Sequence, residues 1–175
     1  RKWVSRLSNK KIICFHNPDE ENGYLSNWYP SKFEMDHITF SSMEQYMMYR
    51  KAHLFQDEPI ASEILKTDNV GKIKALGRAV SGYNDLIWSG MRQVIVYNGL
   101  VQKFSQNEEL RSRLLTTGNS VLAECAVMDK IWGIGLSMSD ENRFDMGKWR
   151  GQNLLGFALM EVRKIWLQQE HSFPA

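Results

Sequence analysis

The sequence predicts a mainly α protein, a single compact helical domain with a few short β-strands. The chain has 175 residues, a length that suits one domain with a proper hydrophobic core. Hydrophobic residues make up 43% of the chain and charged residues 24%, as in ordinary globular proteins. Apolar residues recur at three- and four-residue steps over several long segments, whereas strict alternation is confined to short ones, and this favours helices.

The gross composition narrows the class of protein further. The net charge of +2 demands no polyanionic partner. Cys14 and Cys125 form no CxxC motif, which argues against a disulfide framework or a zinc site and fits a reducing compartment. No apolar run reaches the roughly 20 residues that span a bilayer. We therefore expect an intracellular protein, cytoplasmic or nuclear, with no membrane association.

Hydrophobic periodicity and turn residues place the elements along the chain. Residues 11–15 read as a short strand, and residues 33–40 as a small hairpin that turns at Asp36 and His37. Residues 121–127 form an apolar run that is typical of a buried strand, although helix remains open there. Helices are predicted over residues 42–55, 59–66, 70–76 (ended by Gly77), 84–104, 108–115 and 152–168.

The first of these helices, within SSMEQYMMYRKAHLF, carries charge inside its apolar arc. At about 100° per residue, Glu44 and Lys51 lie about 20° apart, with Met47 and Met48 on either side. Glu44 has a structural explanation, because Ser41 and Glu44 have the spacing of a capping box. Lys51 must reach the helix edge, find a partner, or face a cleft, since an unpaired buried ammonium is costly. We favour a site wall over a packing stripe.

Two further segments offer polar groups beside aromatic rings. GYLSNWYP places Ser26 and Asn27 next to Trp28, either to contact a ligand or to form a turn packed by aromatic side chains. MDKIWGIG places Asp129 three residues before Trp132 on a loop with flexible glycines. Its glycines are a weak phosphate-loop signal. The four histidines lack metal-binding spacing, so we expect a mechanism without a metal.

The chain ends differ in character from the rest. Basic residues without an acid among them make residues 1–14 a basic N-terminal extension: Arg1, Lys2, Arg6, Lys10 and Lys11. This arm is either a frayed, solvated terminus or a segment that contacts phosphates. Residues 15–168 form the predicted domain, and residues 169–175 a C-terminal tail.

Several motifs in a fixed order make the sequence similar to the NADAR family of YbiA-like domains, which is associated with NAD and ADP-ribose metabolism. The resemblance covers about residues 15–167. It rests on these blocks: GYLSNWYP, SSMEQYMMYRKAHLF, LGRAV, IWSGMRQVIVYNGLVQKF, LLTTGNSVLAE, DKIWGIGL and GQNLLGFALMEVR.

The resemblance implies a compact, largely α-helical YbiA-like fold and an N-glycosidase activity without a cofactor. Family substrates are of two kinds, ADP-ribosylated guanine in DNA and the ribosylaminopyrimidine phosphates of riboflavin biosynthesis. Matched positions imply that the catalytic residues are Glu44, Lys51 and Asp129. Matched positions also imply that substrate is bound by Ser26, Asn27, Arg78, Trp88, Trp132 and Asn153.

Three classes of function remain open at this point. The first is a hydrolase for ADP-ribosyl-guanine or for the smaller riboflavin intermediate, with DNA as an open partner. The second is a reader that binds ADP-ribose without cutting it, and the third is a partner-binding domain. Glu44 and Lys51 favour the enzyme, because a reader needs neither an acid nor an amine at the bond. The sequence leaves the oligomeric state undetermined.

Overall fold

The computed structural model describes residues 10–170, apart from the side chain of Glu170. Within that range the mainly α prediction is confirmed, with four short strands. In chain order the elements are β1 (Ile12–Phe15), β2 (Pro30–Met35), β3 (Ile38–Ser42), α1 (Met43–Leu54), α2 (Glu58–Leu65), α3 (Val70–Arg78), α4 (Asp85–Gln106), α5 (Glu108–Thr116), β4 (Val121–Glu124) and α6 (Leu154–Glu170).

The chain divides into two compact units. The inserted unit is the continuous segment 27–108. The discontinuous unit consists, among the described residues, of segments 10–26 and 109–170. The predicted division at residues 14/15 and 168/169 stays a prediction, and we note that β1 begins before the first of these boundaries. The basic arm lies outside the described residues except for Lys10 and Lys11.

The inserted unit begins with the predicted hairpin. Strands β2 and β3 pair antiparallel, with Phe33 opposite Phe40. Asp36 and His37 form the turn with positive φ angles of 54° and 63°, the pair of left-handed residues that a tight hairpin turn requires. The hairpin prediction is confirmed.

Helix α1 is the central element of the inserted unit, packed against α2, α3, α4 and β3. Its first six residues, 43–48, are all buried, so the expected amphipathic pattern is absent there. Gln45 is also buried, and its amide donates to the carbonyls of Ile64 and Thr67. A helix at the centre of a core needs apolar or satisfied side chains all around.

Helix α3 continues past the glycine that was predicted to end it. Gly77 lies inside the helix, which ends at Arg78. A side chain at Gly77 would collide with Met48 of α1, so this glycine permits close helix packing and does not end the helix. Asn69 is the N-cap of α3, and its side chain accepts a hydrogen bond from the Lys72 amide at 2.8 Å.

Helix α4 matches its predicted position and begins at the cap Asn84. The apolar side chains of α4 lie in two different environments. The N-terminal part exposes Ile87, Met91 and Val94, whereas the C-terminal part is buried around Leu100. A three- and four-residue pattern identifies a helix face, but it does not say what covers that face.

The discontinuous unit is organised around two parallel strands. β1 pairs with β4, with Cys14 opposite Ala123, so both predicted strands are confirmed, the second ending at Glu124. Helix α6 packs against β4. Arg163 of α6 donates to the Thr117 hydroxyl and to the Ser120 carbonyl, each at 2.8 Å.

The segment between β4 and α6 is mostly loop, as predicted, with two short 3-10 turns at Glu141–Phe144 and Met146–Lys148. None of the helices in residues 10–170 has the length and apolar character to cross a membrane.

Candidate active site

The cap of α1 differs from the predicted capping box by one residue. Ser42, not Ser41, is the N-cap, and its hydroxyl accepts a hydrogen bond from the Gln45 amide at 3.1 Å. The Gln45 side chain in turn accepts from the backbone amide of Ser41 at 2.7 Å. The predicted pairing of Ser41 with Glu44 is therefore wrong, and capping does not explain the Glu44 carboxylate.

Glu44 is held in the first turn of α1 with only 4% of its surface exposed. Its backbone amide donates to the carbonyl of Asn27 at 2.8 Å, which joins the start of the helix to the segment before β2. Burial of a carboxylate is costly unless charge or hydrogen bonds compensate. Lys51 supplies charge, because Glu44 acts electrostatically on the pKa of the Lys51 amine.

Lys51 lies two turns further along α1 and is half-buried. Its Nζ donates to the carbonyl of Gly77 at 2.8 Å. The same nitrogen lies 4.6 Å from the ring centroid of Tyr83 and 5.9 Å from that of Trp88. These distances are in the cation–π range, so two aromatic faces and a carbonyl fix the position of the amine.

The pKa of Lys51 is lowered from its ordinary value. Burial of the ammonium is the main cause, and the positive charge of Arg78 adds to it, whereas the carboxylate of Glu44 opposes it. A lysine with a lowered pKa has more of the neutral, nucleophilic amine at a given pH. The acid, the amine and the arginine are thus electrostatically coupled within one unit.

Two more predicted residues lie in the inserted unit. Asn27 is buried, and its Oδ1 atom has no hydrogen-bond donor within the protein. Trp88 is buried beside Lys51. An unsatisfied buried carbonyl is uncommon and is a natural point of contact for a ligand or a water molecule.

The remaining predicted residues belong to the discontinuous unit. Ser26 is buried at the end of a 3-10 turn. Asp129 organises its loop, because its Oδ1 accepts from the backbone amides of Ile131 at 3.0 Å and Trp132 at 2.8 Å. The Asp129 carboxylate thereby fixes the backbone that carries Trp132, which is a positioning role in addition to any contact with substrate.

Asn153 is fully buried and leads helix α6 with a positive φ of 52°. Its Oδ1 accepts from the amide of Glu124 at 3.0 Å, and its Nδ2 donates to the carbonyl of Leu122 at 2.8 Å. Both ends of the side chain therefore bind the backbone of β4. Asn153 anchors the last residues of that strand, and its predicted contact with substrate stays a prediction.

The anchored strand carries an acid that our sequence interpretation did not select. Glu124 is 8% exposed; its Oε1 lies 2.9 Å from Nδ1 of His16, and its Oε2 is buried without a hydrogen-bond partner. Burial raises the pKa of the Glu124 carboxyl; His16 opposes this, and the charges of Asp129 and Glu20 add to it. A buried acid with one unsatisfied oxygen and a raised pKa is typical of a functional site.

One signal in the sequence points to Glu124. It ends the apolar run VLAE, where a charged residue on a buried strand needs a partner. The partner could not be identified, because His16 is 108 residues away in the sequence. Among residues 10–170, no three His, Cys, Asp or Glu side chains are grouped so that they could hold a metal ion.

Comparison with known proteins assigns the chain to a family. The model of the NADAR domain matches residues 14–166, nearly the whole chain. This chain belongs to the NADAR family. N-glycosidase R617 of Acanthamoeba polyphaga mimivirus is 38% identical over 90% of this chain and 98% of its own length. Riboflavin biosynthesis protein VVA0006 of Vibrio vulnificus is 30% identical over 91% of this chain, but over 39% of its own length.

A solved structure supports the fold. The NMR structure of the E. coli protein YbiA has a TM-score of 0.78 to this chain at 27% sequence identity. The similarity covers 95% of this chain and 90% of YbiA. The YbiA-like helical fold expected from the sequence is therefore confirmed.

Proposed function

We propose that this protein is an N-glycosidase that hydrolyses the bond between an exocyclic nitrogen and the anomeric carbon of a phosphorylated ribose. The observation that carries the proposal is the coupling of a buried carboxylate, Glu44, to an amine of lowered pKa, Lys51, on one helix. Membership of a family with named N-glycosidases supports the same class of reaction.

Glu44 is the proposed acid–base group. Cleavage of an N-glycosidic bond needs a proton for the leaving nitrogen and an activated water molecule for the anomeric carbon. A carboxyl group that is almost fully buried can hold and release that proton in turn. Positioned acid–base catalysis of this kind contributes about 10²–10⁴-fold to a rate.

Lys51 has two candidate roles, and each uses its observed surroundings. As a cation it binds a phosphate or a ribose hydroxyl. As a neutral amine it adds to the anomeric carbon of the ring-opened ribose, the leaving nitrogen departs with a proton from Glu44, and water then hydrolyses the lysine imine and restores the amine. The lowered pKa of Lys51 and its fixed position favour the second role.

The other predicted residues are proposed to bind the substrate. Arg78, at the end of α3, is suited to a bidentate contact with pyrophosphate. Trp88 and Trp132 are suited to stack on a base, an interaction worth about 1–3 kcal/mol. The unsatisfied carbonyl oxygen of Asn27 is suited to accept from a ribose hydroxyl or an amino group. Ser26 and Asn153 complete the proposed set, and Asp129 is proposed to stabilise the cationic intermediate.

For the substrate we propose ADP-ribosylated guanine, free or in DNA. The basic residues at the N-terminus support this choice, because they can contact the phosphates of DNA. Arg78 supports it as well, because its guanidinium is suited to bind the pyrophosphate of ADP-ribose. The second candidate is a ribosylaminopyrimidine phosphate, because one relative is named a riboflavin biosynthesis protein. A non-catalytic ADP-ribose reader is the remaining alternative.

A direct comparison of the two substrates tests the proposal. The protein is incubated with ADP-ribosylated guanine DNA and, separately, with the ribosylaminopyrimidine phosphate, and the released sugar phosphate is quantified. Release from the first supports the main proposal, and release from the second alone identifies the second candidate. Tight binding of ADP-ribose without release from either would identify a reader.

Borohydride reduction during turnover distinguishes the two roles of Lys51. If the amine forms an imine, reduction adds the sugar phosphate to Lys51, and peptide mass mapping finds it there. Lys51→Arg, which keeps the charge, then loses both the adduct and the activity. An active Lys51→Arg protein without an adduct would assign the purely electrostatic role.

A further inference from the structure

The discontinuous unit contains a cavity of about 480 Å³. Residues of β1, of the 3-10 turn at Gly23–Leu25, of α5 and of the loop after β4 line it. None of these lining residues belongs to the candidate active site. The volume lies within the range of roughly 300–1,000 Å³ that is typical of small-molecule sites.

The charged residues in this cavity are mostly basic. Lys11, Arg113 and Arg143 line it, and Glu21 is the one acid among its lining residues. The neutral part of the wall includes Ile13 and Met138. Three cations against one carboxylate make an electropositive recess with an apolar side, although the whole chain is nearly neutral.

Each of the two arginines is stacked on an aromatic ring of the same cavity. The guanidinium carbon of Arg113 lies 4.1 Å from the centroid of Tyr24, and that of Arg143 lies 4.1 Å from the centroid of Phe144. Stacking holds a guanidinium flat and restricts its rotamers, so that less entropy is lost when the group binds an anion.

Each arginine also donates to a backbone carbonyl, and one donor of Arg143 is left without an acceptor. Arg113 donates to the carbonyl of Glu21 at 2.6 Å, and Arg143 donates through Nη1 to the carbonyl of Asp140 at 2.8 Å. The Nε of Arg143 is buried and has no acceptor in the protein. A buried donor without an acceptor indicates that another group completes the site.

We propose that this cavity binds a small molecule that carries a phosphate or pyrophosphate group. Two preorganised guanidinium groups and a lysine supply the forked donors and the charge that such a group requires. The apolar wall can accommodate the remainder of the molecule. Apart from Lys11, which also belongs to the basic arm, the proposal uses none of the residues assigned to the glycosidase, so it stands or fails separately from that activity.

Titration with pyrophosphate, inorganic phosphate and AMP at fixed ionic strength tests the site. The indole Nε1 of Trp149 donates to the carbonyl of Arg143 at 2.9 Å. The NMR resonance of this indole N–H proton therefore reports on binding near Arg143. We expect this resonance, assigned with Trp149→Phe, to move during the titration. Binding of all three probes indicates a site for phosphate esters, and binding of the inorganic anions alone indicates a site for the free anions.

Variants show whether the arginines form the site. We expect Arg143→Gln and Arg113→Gln each to weaken binding by about tenfold or more, as expected for loss of a charge-assisted hydrogen bond. Arg143→Lys keeps the charge without the fork and should give an intermediate loss, which keeps the test valid if a glutamine variant folds poorly. Lys164→Gln removes an exposed charge of the same unit and should change the affinity by less than about twofold.

The result that would reject the phosphate site differs from the result that would reject the proposed N-glycosidase activity. Absence of any shift at millimolar probe, or equal losses in Lys164→Gln and Arg143→Gln, would reject the site. Lys51→Met, tested in parallel, should abolish cleavage of the glycosidic bond while leaving the affinity for pyrophosphate unchanged.

Discussion

Glu44 holds a carboxylate on a helix whose first turn is already capped by other side chains. Ser42 and Gln45 provide the cap, so Glu44 is not needed as a capping residue. The Glu44 carboxylate is nevertheless almost fully buried and is coupled electrostatically to Lys51. A buried acid coupled to a lysine is a combination that often marks a functional site.

We predict that Glu44→Gln lowers the turnover number by about 10²–10⁴-fold, because it removes an acid–base group of unchanged shape. Stability should change little, and the Michaelis constant should stay near that of the wild type. Ser42→Ala is the matched control: it should lower the free energy of unfolding by about 1 kcal/mol through loss of the cap while turnover persists. Steady-state kinetics and urea denaturation measure both. Normal turnover in Glu44→Gln would remove the acid–base assignment.

Lys103 is a second buried lysine, and its surroundings differ from those of Lys51. It is fully buried on α4, with the rings of Tyr29 and Phe104 at 5.7 Å and 5.2 Å. Burial lowers the pKa of Lys103 to about 7, whereas an ordinary lysine titrates at 10.5. Between these two pH values the unfolded chain holds a proton that the folded chain has released. Folding stability from this residue therefore rises with pH across that window.

We predict that Lys103→Met raises the free energy of unfolding at pH 7 by about 1–4 kcal/mol, because an apolar side chain of similar length avoids the burial of charge. The difference from the wild type should narrow as the pH rises from 7 to 9, the range to be measured by urea denaturation. Lys32→Met, at an exposed position of β2, is the matched control for removal of a lysine charge. A constant difference for Lys103→Met would show that Lys103 has an ordinary pKa.

Sequence patterns select the residue types of the candidate site, but they do not identify the partners of those residues. Glu44 and Lys51 were found because two charges in an apolar arc need a physical explanation. The contacts of Lys51 with Gly77 and Tyr83 come from chain segments 26 and 32 residues away, and no local pattern specifies such pairs. Glu124 was missed for the same reason.

At the scale of elements, the packing of α3 on α1 determines where the Lys51 amine lies. Gly77 allows the two helices to approach at Met48, and the carbonyl of the same glycine accepts from Lys51. The sequence predicted both helices, but Gly77 was interpreted as a helix end, because glycine signals a terminus and close packing equally well. The periodicity of α4 likewise did not determine which of its apolar residues are buried and which are exposed.

We predict that Gly77→Ala destabilises the protein by about 1–3 kcal/mol, because the added methyl group must displace Met48 or the whole of α3. Turnover should also fall, since Lys51 loses a fixed acceptor. Gly71→Ala, in the exposed first turn of the same helix, should be neutral or stabilising by up to about 1 kcal/mol. Thermal and urea denaturation compare the two variants.

Met48→Ala provides the second half of this test. If the clash is the cause, Gly77→Ala should cost less in the Met48→Ala background than in the wild type, a coupling that a double-mutant cycle measures. Strictly additive effects of the two changes would show that Gly77 is not required for the close approach of α3 to Met48 of α1.

At the scale of the whole molecule, β1 is a structural part of the discontinuous unit. The amide of Val121 donates to the carbonyl of Lys11, and that of Cys125 to the carbonyl of Phe15, each at 2.8 Å. Phe15 is fully buried. The family match begins at residue 14, and the predicted domain at residue 15, so both boundaries cut through this strand.

We predict that a chain beginning at His16 is destabilised by more than about 3 kcal/mol relative to the full chain, because it loses the burial of Phe15 as well as the pairing of β4. A chain beginning at Lys10 keeps every contact of β1 described above and is the matched reference for this loss. Urea denaturation and the yield of folded protein measure both. Equal stability of the two shortened chains would make β1 dispensable.

The long separation of β1 from β4 has a consequence for the order of events during translation. The Lys51 contacts described above come from Gly77, Tyr83 and Trp88, all in the uninterrupted segment 27–108, and these residues leave the ribosome before β4 does. Domains generally fold as units from the N-terminal side while synthesis proceeds. The surroundings of the Lys51 amine can therefore form on the nascent chain. β1 has emerged by then, but it stays unpaired until β4 emerges.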